Sequence, residues 1–435
     1  MGEWPDVTLG SLAAPYDGAI AIGPFGSAMK AETYTPFGVP VIRGMNISND
    51  RAWKGDWVFI SEEFADAMSR CVVRSGTLVF PHRGSIGEVA IVPKDGHPRY
   101  FLSTSLMKIE VDDKKANPLF VYFFFRSYAG RSEILKYASQ VGTPGIGQPL
   151  SSLKQFKLPL PPLAVQNAIV SILSALDDKI ELNRRMNQTL EAIARATFKD
   201  WFIDFGPARA KKEGCAPYLA PDIWALFPDR LDDEGKPEGW AEKPLDEIAE
   251  FLNGLALQKY PAEDGLYLPV IKIAQLRAGN SEGADKASTK IPAAYVVEDG
   301  DVLFSWSGSL LHRVWTAGRG ALNQHLFKVT SKEYPKWFFF HWIGHHLPDF
   351  QAIAAFKATT MGHIQRHHLT QAKTIVPDKK VMNVATKIIG PLFEQAIKND
   401  LEARTLAAVR DLLLPKLMSG KVRVKDAAKI TEAAL

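Results

Sequence analysis

The residues best equipped for chemistry are unevenly distributed. Eight of the ten histidines, His312, His325, His341, His345, His346, His363, His367 and His368, fall between positions 312 and 368. His341/His345 and His363/His367 each have i,i+4 spacing, which on a helix would put two imidazoles on one face, able to clamp a metal. Against a metal, no cysteine is near. The acid at helical spacing, Asp349, follows the helix breaker Pro348, and the first half of the chain has no counterpart. Core or surface histidines, or contacts to phosphates and base edges, are the competing readings, and no metal site is expected. Familiar catalytic cradles are also missing. Gly235-Lys236 and Gly420-Lys421 are followed by Pro237 and Val422, which cannot place a hydroxyl on magnesium. Asn117-Pro-Leu-Phe120 departs at Leu119 from the Asn/Asp-Pro-Pro-aromatic turn of adenine methyltransferases. Gly279-Asn-Ser-Glu-Gly283 has the letters of a hydrolase elbow without the flanking apolar strand and helix, so a polar loop is expected there.

The elements that position these residues follow from an internal repeat. At 435 residues, with 46% apolar, 10% aromatic and 23% charged residues, the chain can build two cores and is not disordered. Its net charge of +4 implies that any nucleic-acid surface is local. Two distant cysteines, Cys71 and Cys215, and an N-terminus without signal-peptide character lead us to expect a cytoplasmic protein. Glu3-Trp4 with Leu9, Leu12 and Gly18 recurs as Gly239-Trp240 with Leu245, Ile248 and Gly254, an offset of 236. Val39–Ile42 recurs as Leu268–Ile271 at 229, Leu78-Val79-Phe80 as Val302-Leu303-Phe304 at 224, and Ser105-Leu-Met as His325-Leu-Phe at 220. Phe156-Lys157 then maps to Ala372-Lys373 at 216. A one-directional drift of this kind means one module duplicated with small loop deletions.

Each copy begins with short apolar runs punctuated by Gly and Pro, the mark of a mixed sheet. Each ends in a helical zone. After Leu158-Pro-Leu-Pro-Pro, apolar residues at Ile169, Leu173, Leu176, Ile180, Leu190 and Ala194 alternate in steps of four and three, with Asn183 and Asn187 in the skipped seam positions. The second copy continues the register with Ala385, Ile389, Leu392, Ala396, Asn399, Ala403 and Leu406, and Pro391 predicts a kink or a restarted helix. The expected organisation is a first domain over 1–160, a helix over 161–205 and a Pro-rich linker over 206–236. A second domain over 237–376, a second helix over 377–420 and a tail over 421–435 complete it.

A duplicated variable module feeding a long helix, with Val141-Gly-Thr-Pro-Gly-Ile, Leu158-Pro-Leu-Pro-Pro-Leu-Ala-Val-Gln166, Leu182-Asn-Arg-Arg-Met-Asn187, Phe251-Leu-Asn-Gly254 and Leu412-Leu-Leu-Pro-Lys-Leu-Met-Ser-Gly420, resembles the DNA-specificity subunit of Type I restriction-modification enzymes. The second join, Ile375-Val-Pro-Asp-Lys, lacks the double proline and its following Gln. The resemblance implies an α+β chain in which two tandem, pseudo-two-fold-related target-recognition domains of mixed sheet are separated by an antiparallel coiled coil. It implies a non-catalytic subunit that reads a bipartite, asymmetric site on double-stranded DNA. Its partners would be two methyltransferase subunits and, optionally, two restriction or translocase subunits. No cofactor is implied in this chain; S-adenosylmethionine and ATP with magnesium belong to the partners. Three loop pairs are then the candidate DNA contacts: Arg43, Asn46 and Ser48 with Lys272, Gln275 and Arg277; His82, Arg83 and Ser85 with Trp306, Ser307 and Ser309; and Thr143 and Gln148 with His363, Gln365 and Arg366. Arg184-Arg185 reads as an exposed helix face, with a phosphate or partner contact as the alternative. Asn183 and Asn399 are expected to meet across the coiled coil and set its register. A heptad added after Leu182 would lengthen the helix by roughly 10 Å. A stand-alone hydrolase or nuclease using the histidine cluster, and a protein-binding scaffold, are the alternatives.

Overall fold

The computed structural model describes residues 4–26, 28–47, 53, 56–94, 96–139, 145–263, 265–356 and 362–435. Ser48 and Thr143 lie outside them. The chain divides into two compact units, Met1–Glu181 with Thr405–Leu435, and Leu182–Arg404.

Unit 1 contains an antiparallel sheet in the order Ile20–Ile22, Leu106–Ile109, Leu78–Pro81, Ala90–Ile91. A second sheet runs Tyr34–Thr35, Val58–Ile60, Val39–Ile42, Tyr100–Leu102, Val72–Val73, with one parallel pairing, Val41 beside Phe101. Unit 2 repeats the plan. Its first sheet runs Glu250–Asn253, Leu326–Thr330, Val302–Ser305, His312–Val314, and its second pairs Val270 with Ala321 in parallel. A short ribbon closes each module: Asp6–Thr8 with Lys157–Pro159, and Ala241–Pro244 with Lys373–Val376. The registers reproduce the repeat offsets strand by strand. Met107 faces Phe80 and Phe327 faces Phe304, at offsets of 220 and 224. One equivalence changes: Ile22 faces Met107 and Asn253 faces Phe327, so the partner of Gly254 is Gly23 and not Gly18.

The first long helix, Leu163–Phe198, has 36 residues and at 1.5 Å per residue spans about 54 Å. The second, Lys379–Met418, has 40 residues and runs unbroken through Pro391. The restart expected there does not occur. Ile389, Phe393 and Ile397 on either side are buried in the unit 2 core, and that burial offsets the roughly 3 kcal/mol that an interior proline costs. The helix Lys336–Phe356 passes through Pro348 in the same way, anchored by Ile343 and Phe350. The stretch 206–236 folds against unit 2: Phe227 is buried and meets Trp201 edge to face at 4.9 Å. Asn117, the first residue of the methyltransferase-like motif, caps the helix Pro118–Arg126 by accepting from Leu119 N at 2.9 Å.

Within unit 1 the two long helices meet through charge. Asp177, 6% exposed, accepts from Arg410 Nη1 at 2.8 Å and faces Arg126 Nη1 at 3.4 Å. The equivalent positions of unit 2 are Phe393, Ala194 and Ile343, all members of its apolar core. Within unit 2 the helices run antiparallel and meet through amides. Asn399 Nδ2 donates to Asn187 Oδ1 at 2.9 Å, and Asn183 Nδ2 donates to the Asn399 carbonyl at 3.3 Å and to Glu402 Oε2 at 2.7 Å. All three asparagines are buried. Arg184 and Arg185 are exposed beside them.

Candidate nucleic-acid interface

In each unit three segments converge at one end of the antiparallel sheet. The strand Leu78–Pro81 runs into the turn 82–85, whose first residue donates from its N–H to Ser105 O at 2.9 Å and accepts at its carbonyl from Ile146 N at 2.9 Å. In unit 2, Trp306 N donates to His325 O at 3.4 Å, Ile364 N donates to Trp306 O at 2.9 Å, and Gly308 N donates to Gly362 O at 2.7 Å. The second and third loop pairs of the sequence reading are therefore one cluster in each unit. The turns 103–105 and 323–325 complete it; sequence reasoning used them as repeat markers and counted His325 among the clustered histidines, without placing either turn among the candidate DNA loops.

The side chains divide into those that hold these loops and those that face solvent. His82 is 6% exposed, and its Nε2–H donates to Thr104 O at 3.1 Å. At the equivalent position Trp306 Nε1–H donates to Gln324 O at 3.1 Å and to Asn253 Oδ1 at 2.9 Å. Both ring N–H groups thus pin the neighbouring turn and do not face a ligand. Burial holds the His82 pKa below its ordinary value, so Nδ1 is unprotonated, and it is buried with no partner among the described residues. Arg83, Ser85 and Gln148 are exposed in unit 1. In unit 2, Ser309, Gln365 and Arg366 are exposed, with Arg366 leaning over the Phe327 ring and donating to Phe251 O at 3.3 Å. Ser307 is buried, its hydroxyl 2.9 Å from His325 Nδ1. The half-buried His363 ring meets Trp306 edge to face at 6.2 Å.

The remaining loop pair forms matching short helical turns. Asn46 Oδ1 accepts from Arg43 N at 2.9 Å, and Gln275 Oε1 accepts from Lys272 N at 3.3 Å. Asn46 is fully buried and Gln275 is 8% exposed, so these two amides, expected at base edges, cap their own turns instead. Arg43 donates to Asp56 O, and Lys272 pairs with Asp285. Arg277 is exposed and, with Ser309 and Gln351, lines an open cleft of 540 Å³ beside the turn 308–311. The Gly279–Gly283 segment is a loop that begins where the helix Ile273–Ala278 ends at Gly279 in the left-handed conformation.

The histidines do not assemble. Among the described residues no three His, Cys, Asp or Glu side chains are grouped to hold a metal ion. His312 and His341 lie in the unit 2 interior, where burial depresses both to about 4. His341 Nδ1 donates to Trp337 O at 2.9 Å and His346 Nε2 to Lys373 O at 2.9 Å, while His368 Nδ1 accepts from Gln365 N at 2.9 Å. These are structural hydrogen bonds. No described helix is long and apolar enough to cross a membrane.

Comparison with known proteins agrees with this geometry. Residues 24–192 and 237–410 each match the Type I restriction modification DNA specificity domain. The chain is 25% identical to the Type I restriction enzyme MjaIX specificity subunit of Methanocaldococcus jannaschii, covering 98% of this chain and 97% of that one. It is 24% identical to the HindI specificity subunit of Haemophilus influenzae, covering 74% and 81%. The crystal structure of a Type I restriction-modification S subunit from M. genitalium superposes with a TM-score of 0.55 at 17% identity, over 95% of this chain and 96% of that one. Two family domains spanning most of the sequence, each coinciding with one copy of the structural repeat, establish that the chain belongs to the Type I restriction-modification DNA-specificity family, the non-catalytic specificity components of those systems.

Proposed function

We propose that this chain is the specificity subunit of a Type I restriction-modification complex. In this reading each unit recognises one half of a bipartite, asymmetric duplex site, and the chain positions two methyltransferase subunits on it. Restriction-competent assemblies add two restriction or translocase subunits. S-adenosylmethionine, ATP and magnesium act on those partners, and the complex works in the cytoplasm. The observation that carries the reading is the duplicated loop cluster, built by the same backbone contacts in both units while presenting different side chains. Two readers with different surfaces suit a site whose halves differ in sequence. The long helices are the element we expect to set the gap between half-sites. Because they pair antiparallel through Asn187 and Asn399, a heptad added after Leu182 alone would slip the amide register. The gap should lengthen by about three base pairs, at ~3.4 Å each, only when a compensating heptad is added to the second helix.

Selection and sequencing of randomised duplexes bound by the chain with its methyltransferase partner tests the reading. A gapped, two-part motif is expected. No enrichment, or S-adenosylmethionine turnover or DNA cleavage by the isolated chain, refutes it. Nothing favours a hydrolase built on the histidines, since His312 and His341 are neutral and enclosed by aromatic side chains such as Phe340.

A further inference from the structure

We propose that Gln324 and His325 determine base preference at one or two adjacent positions of the half-site read by unit 2; the inference rests on the DNA-reading assignment above. Neither residue belongs to the loops singled out from the sequence. The turn they form is gripped from several sides. Gln324 N donates to Leu255 O at 2.9 Å, His325 N to Asn323 Oδ1 at 3.2 Å, and the Gln324 carbonyl receives the Trp306 N–H at 3.1 Å. Behind the turn, a Cβ on Gly254 would stand 2.2 Å from Asn323 O, so only glycine allows the strand to come this close.

The side chains on this rigid turn are half-exposed. The Ser307 hydroxyl at His325 Nδ1 fixes the imidazole plane, and the ring lies beside Trp306 at 5.9 Å. Gln324 Nε2 donates to His325 Nε2 at 3.4 Å, which orients the amide so that its oxygen and second N–H form a paired acceptor and donor edge of the kind that reads adenine in the major groove. Unit 1 contains the same apparatus around different residues. His82 pins the carbonyl of Thr104, Gly23 stands behind Ser103, and the residues displayed are Thr104 and Ser105. A constant pin holding a variable pair is the arrangement expected of a reading head preorganised on a scaffold.

The test uses the chain with its methyltransferase partner and a randomised duplex library. Gln324→Thr with His325→Ser installs the pair that the unit 1 turn already carries, so the melting temperature should be unchanged. Discrimination at one or two adjacent positions of one half-site should fall at least tenfold or switch base, with the other half-site intact. His325→Ala alone should relax a subset of the same positions. Trp306→Phe, which keeps the ring but removes the pinning N–H, should broaden those positions without redirecting them. An unchanged motif in the double variant overturns the inference, as does uniform weakening across all sequences, which would mark a phosphate contact. Failure of the unsubstituted complex to select any gapped motif would instead overturn the proposed function, and this inference with it.

Discussion

Replacing Arg410 by alanine removes one of two guanidinium groups that flank a carboxylate with almost no access to water. The side chains of Asp177, Arg410 and Arg126 are 6%, 11% and 12% exposed. Burial works against the charge on Arg410, but Asp177 and Asp411 outweigh it and hold the guanidinium protonated well above its ordinary range. Breaking a buried ion pair by deleting one partner costs about 3–5 kcal/mol, because the other charge is left uncompensated. With Arg126 still 3.4 Å from Asp177, the lower end, about 3 kcal/mol, is expected. For a unit of this size that corresponds to a fall in melting temperature of roughly 6–12 °C. The repeat also supplies the compensating change, since Ile343, Phe393 and Ala194 fill the equivalent positions in unit 2. Arg126→Ile, Asp177→Phe and Arg410→Ala made together should melt within a few degrees of the parent, because a packed apolar cluster commonly matches a buried ion triad. Urea and thermal unfolding of the three proteins would decide. A loss below about 1 kcal/mol in the single variant, or a triple variant as unstable as the single one, refutes the reasoning.

Four further outcomes are expected. Gly254→Ala, whose Cβ would lie 2.2 Å from Asn323 O, should cost at least 1–3 kcal/mol by overpacking and lower DNA selectivity, read by urea unfolding and filter binding. Stability should be full above about pH 6.5 and fall as the pH drops toward 4, because unfolding lets His312 and His341, held near 4 when folded, regain protons. The slope is up to about 1.4 kcal/mol per pH unit for each histidine, and His312→Phe should flatten it in urea titrations at pH 7.5, 6 and 5. Asn187→Cys with Asn399→Cys should crosslink under mild oxidation, since these side chains meet at 2.9 Å and disulfides need Cα atoms within ~7 Å; a pair displaced by one heptad should not, as gel mobility will report. Arg83→Ala should cost about 1–3 kcal/mol in DNA binding and relax one base position in competition assays.

The sequence carried the repeat because strand registers tolerate no slippage: one residue out of step turns a buried face to water. Its offsets therefore reappear as paired residues such as Met107 with Phe80 and Phe327 with Phe304. Side-chain direction was not legible in the same way. His82, Trp306, Asn46 and Gln275 have the right chemistry for base edges, yet His82 and Trp306 direct a ring N–H to the neighbouring turn, and Asn46 and Gln275 direct an amide oxygen back into their own. A signal was nevertheless present. Across the repeat, His matches Trp, sharing a ring N–H, and Asn matches Gln, sharing a primary amide, whereas Arg83/Ser307, Thr104/Gln324 and Ser105/His325 share no such group. At these positions matched hydrogen-bonding chemistry accompanies scaffold contacts, and the unmatched positions include the pair proposed for readout. The restart weighed at Pro391 does not occur for a different reason: that proline and Pro348 each remove one hydrogen bond from a helix whose flanking residues are fixed in a core.

Unit 1 is assembled from the two ends of the chain, residues 1–181 and 405–435, and this imposes an order on events at the ribosome. Arg410 is synthesised 233 residues after Asp177, a delay of roughly 10–50 s at about 5–20 residues per second. Throughout that interval the nascent first module has Arg126 but not Arg410 to neutralise Asp177, while every residue of unit 2 is already emerging. The module made first is thus the last that can reach its native state. A chain that terminates before residue 405 leaves it permanently incomplete, so the strand-rich N-terminal module is the part of a truncated product most exposed to proteolysis.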